Sequence, residues 1–263
     1  MKKLILALAL TSVLFACKKE TTTPNTTSNP ISCVDNPSIN FTAIGTPVGK
    51  FSDCIKDIDG NVYKTVTIGT QIWMAENLKT SKYSDGTPIP NVKDSLEWEK
   101  LTTGAWCYYN NDEANNAKYG KLYNWYAASK TSNGNKNVCP TGWHVPTDAE
   151  WTVLTDYLGK PLDYQLGLDI AVNKMKELGV MNWSKVNNEV TNASLFTALP
   201  GGYRSPFSSG FYGVKVLGNW WSSTSDNYKG GKCRIIFEYD NRINLRIYQD
   251  TISAGMSIRC VKD

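Results

Sequence analysis

The clearest pattern in the chain is an alternation of apolar and polar positions over residues 61–78, NVYKTVTIGTQIWMAENL. Such alternation is typical of a β-strand, because successive side chains point to opposite faces of the sheet. One parity carries Val62, Val66 and Ile68, and the other carries Tyr63, Thr65 and Thr67. Gly69-Thr70 is a tight-turn pair, so the pattern predicts a hairpin whose second strand runs over residues 71–78.

A second pattern, with helical spacing, follows the stretch CPTGWHVPTDAEW at residues 139–151. Thr147 and Glu150 have the spacing of a capping box, in which each side chain closes on the other residue's free backbone N–H. The apolar stripe then continues through Trp151, Leu154 and Leu158 and stops at Gly159. We expect a helix over residues 147–158, with the only histidine, His144, just before it in a structural role.

Weaker helical patterns occur on either side of this one. Leu122, Trp125 and Tyr126 share one helical face within residues 119–129, and another short helix is expected around residues 170–178. Residues 31–55 and 79–104 show no period, and we interpret both as loops.

The last third of the chain changes to short β-like segments separated by glycine turns. Asp240-Asn241 lies between two apolar runs, as the turn of a hairpin would. Strands first, helices in the middle and strands last predict an α+β fold with antiparallel sheets, two main helices and long loops.

The N-terminal segment predicts export and a lipid anchor. Lys2 and Lys3 precede an apolar run over residues 4–16, which has the length of a signal peptide, and Cys17 ends a stretch that resembles a lipobox. Residues 18–30 are polar and rich in Thr, Asn and Pro, as in a flexible tether. We expect a signal peptide at 1–16 and a lipidated Cys17 with its tether at 17–31. The protein would lie in the cell envelope, at the outer membrane.

The charge and the cysteine content limit the kinds of partner and of covalent link that this protein can have. The 28 basic and 24 acidic residues leave a formal charge of +4, without a basic block of five, so we expect no nucleic-acid partner. Of seven cysteines, six remain after Cys17, an even number that predicts disulfides in an exported protein. Six cysteines allow 15 pairings, and the sequence leaves them open. The absence of CxxC and the single histidine argue against a zinc site.

Several segments occur together in the order typical of one family. They are VTIGTQIWMAENL, GAWCYYNND, YGKLYNWYAA, CPTGWHVPTDAEW, LPGGYRS, WWSST and SIRCVKD. The chain thus resembles the FISUMP family, the Fibrobacter succinogenes major paralogous domain, over about residues 56–263, with residues 32–55 as an N-terminal extension. Family members are typically exported and often lipidated. More distantly, HVPTDAEW and SIRC resemble the formylglycine-generating-enzyme superfamily, which implies a C-type-lectin-like fold.

The resemblance also implies a disulfide scheme. C-type-lectin-like folds commonly tie a helix region to the last strand, which implies Cys139–Cys260. Cys33 and Cys54 lie mostly outside the family motifs, where a local pair is expected. Cys107 with Cys233 would be the remaining pair.

A tethered lectin-like domain with long loops suggests a binding or adhesion module for a glycan or protein ligand. The candidate ligand-binding residues are aromatics of the last third: Tyr203, Phe207, Phe211, Tyr212, Trp220 and Trp221. Because Trp220 and Trp221 would face opposite sides of a strand, we expect one of them to be exposed. The alternatives are a structural envelope protein without a small ligand and an enzyme related to the formylglycine-generating enzymes. We expect no enzyme, because their close cysteine pair is missing and no Gly-x-Ser-x-Gly elbow is present.

One loop carries oxygen ligands that suit calcium. Asn110, Asn111 and Asp112 lie in the stretch YNNDEANN, residues 109–116. The same residue types also form turns, and the register is not that of an EF-hand. We therefore expect no cofactor other than a structural calcium ion at this loop.

Overall fold

The computed structural model describes residue 33, residues 39–159, 170–179, 181–185, 188–208, 210–225, 230–238 and 252–263, and the backbone of 243–247. These residues belong to one compact unit that spans residues 31–263. The predicted signal peptide, Cys17 and the predicted tether lie outside the described residues. Within the described part, no helix has both the length and the apolar character needed to cross a membrane.

The first sheet has five antiparallel strands in the order β1-β2-β3-β12-β6. The strands are β1 Gly49–Lys56, β2 Val62–Ile68, β3 Gln71–Met74, β12 Val261–Lys262 and β6 Trp143–His144. The predicted hairpin is confirmed, although its second strand is shorter than expected and both faces of β2 are largely covered. The last strand pairs between β3 and β6, with Val261 opposite both Trp73 and His144.

The second sheet has five strands in the order β11-β10-β9-β7-β8, and its pairs are antiparallel except for β7 with β9. The strands are β7 Gly201–Arg204, β8 Phe211–Val214, β9 Leu217–Ser225, β10 Gly231–Phe237 and β11 Ile243–Ile247. The predicted hairpin of β10 and β11 is confirmed, while Asp240-Asn241 lies outside the described residues. A small separate pair joins β4 Trp106–Cys107 to β5 Leu122–Tyr123.

Five α-helices complete the described part of the fold. They are α1 Ser95–Glu99, α2 Asn115–Tyr119, α3 Trp125–Ala128, α4 Asp148–Leu158 and α5 Ile170–Met175. Helix α4 confirms the main prediction, with Thr147 as N-cap and both hydrogen bonds of the capping box in place. Its apolar face packs into an aromatic cluster, in which the Trp151 ring lies 4.8 Å from Trp73 and 5.9 Å from Phe196.

Three local predictions are wrong, each for a physical reason. Residues 49–55 are not a loop, because β1 is an edge strand whose mostly exposed side chains give no alternation. The interval 79–104 contains α1, which is only five residues long and buries a single side chain, Trp98. The helix expected at 119–129 is limited to α3, since Leu122 belongs to β5 and Asn124 caps the helix.

Two disulfides link the described residues. Cys139 is bonded to Cys260 with Cα atoms 6.0 Å apart, and Cys33 is bonded to Cys54 with Cα atoms 5.8 Å apart, as the resemblance implied. The third expected pair is wrong. Cys107 and Cys233 are buried thiols outside any disulfide, and they lie in different core clusters.

Candidate functional site

The two adjacent tryptophans of β9 are core residues. Trp220 and Trp221 are both 0% exposed, so the expectation that one of them faces solvent is wrong. They do point to opposite faces, but each face is covered. Trp220 packs into the cluster beneath α4, and Trp221 packs into the larger cluster that also contains Cys233. The indole N–H groups are satisfied internally, by Asn77 and by the Tyr123 carbonyl. Neither tryptophan can contact a ligand.

The other candidate aromatics lie on the hairpin formed by β7 and β8. Tyr203 and Tyr212 are cross-strand partners whose ring centroids are 5.9 Å apart. Phe207, in the turn between the strands, is 72% exposed, which is the largest exposure among the large apolar side chains described. Phe211 is half-buried instead, because its ring packs edge-on against Tyr109 at 5.5 Å. The structure therefore brings Tyr203 and Phe207 to a surface and turns Phe211 inward.

Next to this hairpin is an apolar cleft of about 390 Å³, which we call the β9–β10 cleft. Its floor is one face of the second sheet, where Leu217 and Asn219 of β9 pair with Phe237 and Ile235 of β10. Its walls are Tyr203, the hairpin turn at residues 205–207, and the segment that carries Ala254 and Met256. A volume of this size is in the range of small-molecule and side-chain pockets.

Two of the three polar side chains of the β9–β10 cleft already form a hydrogen bond with the backbone. Ser205 Oγ accepts the backbone N–H of Phe207 at 3.2 Å, and Asn219 Nδ2 donates to the Gly202 carbonyl at 3.3 Å. Apart from the Tyr203 phenol, every other lining side chain is apolar. The cleft is therefore suited to an apolar or aromatic group rather than to a heavily hydrogen-bonded ligand.

The hairpin beside the cleft is held from below by a buried arginine. Arg204 is 1% exposed, and its guanidinium donates to the carbonyls of Val92, Lys93 and Asp94 at 2.8–3.0 Å. The same group stacks over the Trp98 ring, with 4.4 Å to the centroid. Because an arginine fork fixes several acceptors at once, it sets the position of β7 against the preceding loop.

His144 lies in a polar cluster at the start of α4. Its Nε2 is 2.8 Å from Glu150 Oε1, and its Nδ1 is 2.6 Å from Asp263 Oδ1. Glu150 Oε2 also accepts the N–H and the hydroxyl of Thr147. The hydrogen bond to Glu150 raises the pKa of His144, against the opposing effect of burial, and the bond to Asp263 adds to it. Both ring nitrogens therefore hydrogen-bond to carboxylates within the fold, and the structural role of His144 stays a prediction.

The asparagine-rich loop forms turns, and calcium stays a prediction there. Asn110 and Asn111 have left-handed backbone with φ of 54° and 55°, and Asp112 Oδ1 accepts the backbone N–H of Ala114 at 3.0 Å. Asn111 Nδ2 donates to the Lys93 carbonyl, while the buried Oδ1 atoms of Asn111 and Asn116 have no hydrogen-bond partner. Within the described ranges, no three His, Cys, Asp or Glu side chains come together as a metal site.

Taken together, the geometry defines a disulfide-linked α+β domain with an apolar cleft on its second sheet. The sequence model of the Fibrobacter succinogenes major domain matches residues 66–262, which is most of the chain. The protein therefore belongs to this family, as its motifs predicted. No curated protein and no solved structure matches the chain.

Most of the cleft could not be found as a site from the sequence. The aromatic residues of the last third of the chain included Tyr203 and Phe207, but Leu217, Ile235 and Phe237 have the pattern of ordinary strand residues. A signal did exist, because Ile235 and Phe237 share one parity of β10. What the sequence lacks is the pairing register, which places these two side chains beside β9 and the end of β7.

Proposed function

We propose that this protein is a binding module of the cell envelope whose β9–β10 cleft receives an apolar or aromatic side chain of a partner protein. The observation that carries the proposal is the cleft itself, with an apolar floor and the exposed Phe207 at its rim. Interface energy usually concentrates in such pockets, where an aromatic or aliphatic anchor is fully desolvated.

The chemistry of the lining favours a protein over a neutral glycan at this cleft. A sugar presents several hydroxyl groups, and each needs a partner when it leaves water. Ser205 and Asn219 already bond to the backbone, so the cleft offers few free groups to replace that water. An apolar anchor has no such requirement and gains about 25 cal/mol for each Å² of apolar surface that it buries.

The location and the finer fold assignment belong to the same proposal. The apolar run before Cys17 supports a lipid-anchored protein of the outer membrane, with the membrane itself as a partner through the anchor. The pairing of the terminal strand β12 within the first sheet, and the Cys139–Cys260 bond beside it, support a C-type-lectin-like fold. The engaged state of His144 supports a function other than catalysis.

A photo-crosslinking experiment tests the proposed cleft. A photoreactive phenylalanine analogue replaces Phe207 in the full chain, and a matched variant carries it at Leu96, which is 65% exposed on α1. In intact cells, the 207 variant should crosslink to a defined protein that the 96 variant does not capture. Leu217→Ala, in the floor of the cleft, should weaken that crosslink.

The same chain on a glycan array separates the other outcomes. Array binding that Phe207→Ala abolishes would assign the cleft to a glycan and overturn the preference for protein. Equal crosslinking from positions 207 and 96 would show that the cleft is an ordinary surface. That last result would favour the structural envelope protein, which needs no ligand site.

A further inference from the structure

A second pocket lies at the opposite end of the β7–β8 hairpin from Phe207. It has a volume of about 330 Å³ and is formed between α2, the loop before it, and residues 214–215 at the end of β8. We call it the α2 pocket. It shares no lining residue with the β9–β10 cleft.

Two lysines, Lys118 of α2 and Lys215 after β8, line this pocket, and neither forms an ion pair at salt-bridge distance within the described residues. The Lys118 ammonium lies over the Tyr119 ring, 5.6 Å from its centroid. The pocket therefore carries two positive charges. One of them, Lys118, is close enough to the buried Glu177 to oppose the rise that burial causes in the pKa of that carboxyl group.

Amide groups of the asparagine-rich loop add neutral donors and acceptors to the same pocket. The Asn110 side chain is exposed and makes no hydrogen bond within the described residues. Asn115 Nδ2 donates to the Tyr109 carbonyl at 3.0 Å, which leaves its Oδ1 as an acceptor. Two free amide acceptors next to two cations suit a ligand that has both hydroxyl donors and a negative charge.

The rest of the pocket surface is apolar. Ala114, Ala117 and Val214 line it together with the buried rings of Tyr109 and Tyr119. A simple anion such as sulfate would leave this surface in contact with water. A sugar ring has apolar C–H faces as well as hydroxyl groups, so it could cover these side chains while its polar edges reach the amides.

We propose that the α2 pocket binds an acidic sugar of the uronic acid type. Its carboxylate lies between the ammonium groups of Lys118 and Lys215, its hydroxyls donate to Asn110 and Asn115, and one ring face covers Val214. The site is independent of the protein-binding cleft, and either can fail without the other.

Calorimetric titration of the full chain in detergent with a galacturonic acid trimer tests this site. We expect saturable binding that weakens about fivefold in Lys118→Gln or in Lys215→Gln and about twentyfold in the double variant, as for exposed charge contacts. Lys100→Gln, an exposed lysine outside the pocket, removes the same charge and should leave the affinity unchanged. The methyl-esterified trimer should bind as weakly as the double variant binds the acid.

Three outcomes would overturn the proposal. The first is the absence of saturable binding by the wild-type chain while its circular dichroism shows a folded protein. The second is equal affinity for the acid and its methyl ester, which would exclude the lysines as the recognition element. The third is equal affinity for triglutamate or inorganic sulfate, which would reduce the pocket to a general anion site. Phe207→Ala should bind the trimer normally, which keeps this test separate from the cleft.

Discussion

The cluster of His144, Glu150 and Asp263 predicts a pH dependence of folding stability that a single residue controls. The chain has one histidine, so a stability change between about pH 6 and pH 9 that disappears in His144→Gln is assigned to that ring. The imidazole joins the start of α4 to Asp263, next to the last strand. His144→Gln keeps a polar side chain of similar size and removes the titration.

The sign follows from the direction of each pKa shift. Folding raises the pKa of His144 above its ordinary value of 6.5. The stabilisation that the protonated ring provides is therefore complete below pH 6.5 and is lost as the pH rises through the folded-state pKa. For Glu150, hydrogen bonds from His144 and Thr147 outweigh burial and lower the pKa from 4.5 to about 2. Its contribution is present above 4.5 and is lost as the pH falls towards 2. The cluster therefore stabilises most between 4.5 and 6.5.

The exposure of the partners sets the magnitude. The side chains of His144 and Glu150 are 25% and 29% exposed, while that of Asp263 is 62% exposed. The His144–Glu150 pair contributes about 1 kcal/mol to the free energy of unfolding. The His144–Asp263 pair contributes less, because solvent screens the more exposed Asp263. Raising the pH from about 6 to about 9 should lower the free energy of unfolding of the wild type by about 1 kcal/mol more than that of His144→Gln.

Urea unfolding followed by tryptophan fluorescence measures this difference with both disulfides intact. With a slope of about 2 kcal/mol per molar urea, the midpoint should fall by about 0.5 M more in the wild type than in His144→Gln. The single imidazole resonance in proton NMR gives the pKa directly. An identical pH dependence of the two proteins, or a resonance that titrates at or below 6.5, would refute the reasoning.

Three further predictions concern covalent and buried links. Replacing Cys139 and Cys260 by Ala opens a loop with a sequence separation of 121 and should cost up to about 4.7 kcal/mol in urea unfolding; a loss below about 1 kcal/mol would contradict it. Arg259, which is 0% exposed and bonds to Asn77 and two carbonyls, should not tolerate Lys. Arg259→Lys should lose about 3 kcal/mol, and equal thermal stability would show that its fork is dispensable. Cys17→Ala should leave the membrane fraction or keep its signal; processed protein that stays membrane-bound would rule out the anchor.

The sequence correctly predicted the features that depend only on residues close together in the chain. The capping box at Thr147 and Glu150 needs only residues three positions apart, and the structure contains both of its hydrogen bonds. The hairpin of β2 and β3 depends on an alternation and a Gly-containing turn, and it too is present. The α+β class followed from the order of such elements along the chain.

Features that depend on distant parts of the chain escaped the sequence. Trp220 and Trp221 are both buried because α4 and Phe196 cover one face of the sheet and the larger core covers the other. The even number of cysteines suggested that Cys107 and Cys233 form a disulfide, but the two residues belong to different core clusters. Cys107 instead lies beside Arg204, and burial raises the pKa of its thiol to about 11.

The position of β12 between β3 and β6 has a consequence for the order of folding. Val261 pairs with strands that lie about 190 and 120 residues earlier in the chain, so the first sheet lacks one of its interior strands until residue 261 is available for pairing. Residues 62–74 can form a hairpin early, but its edge and that of β6 stay open until then. A released chain that lacks residues 258–263 should therefore remain sensitive to protease, and in the chain that has them the sheet should close late, in the same step that brings Cys260 to Cys139.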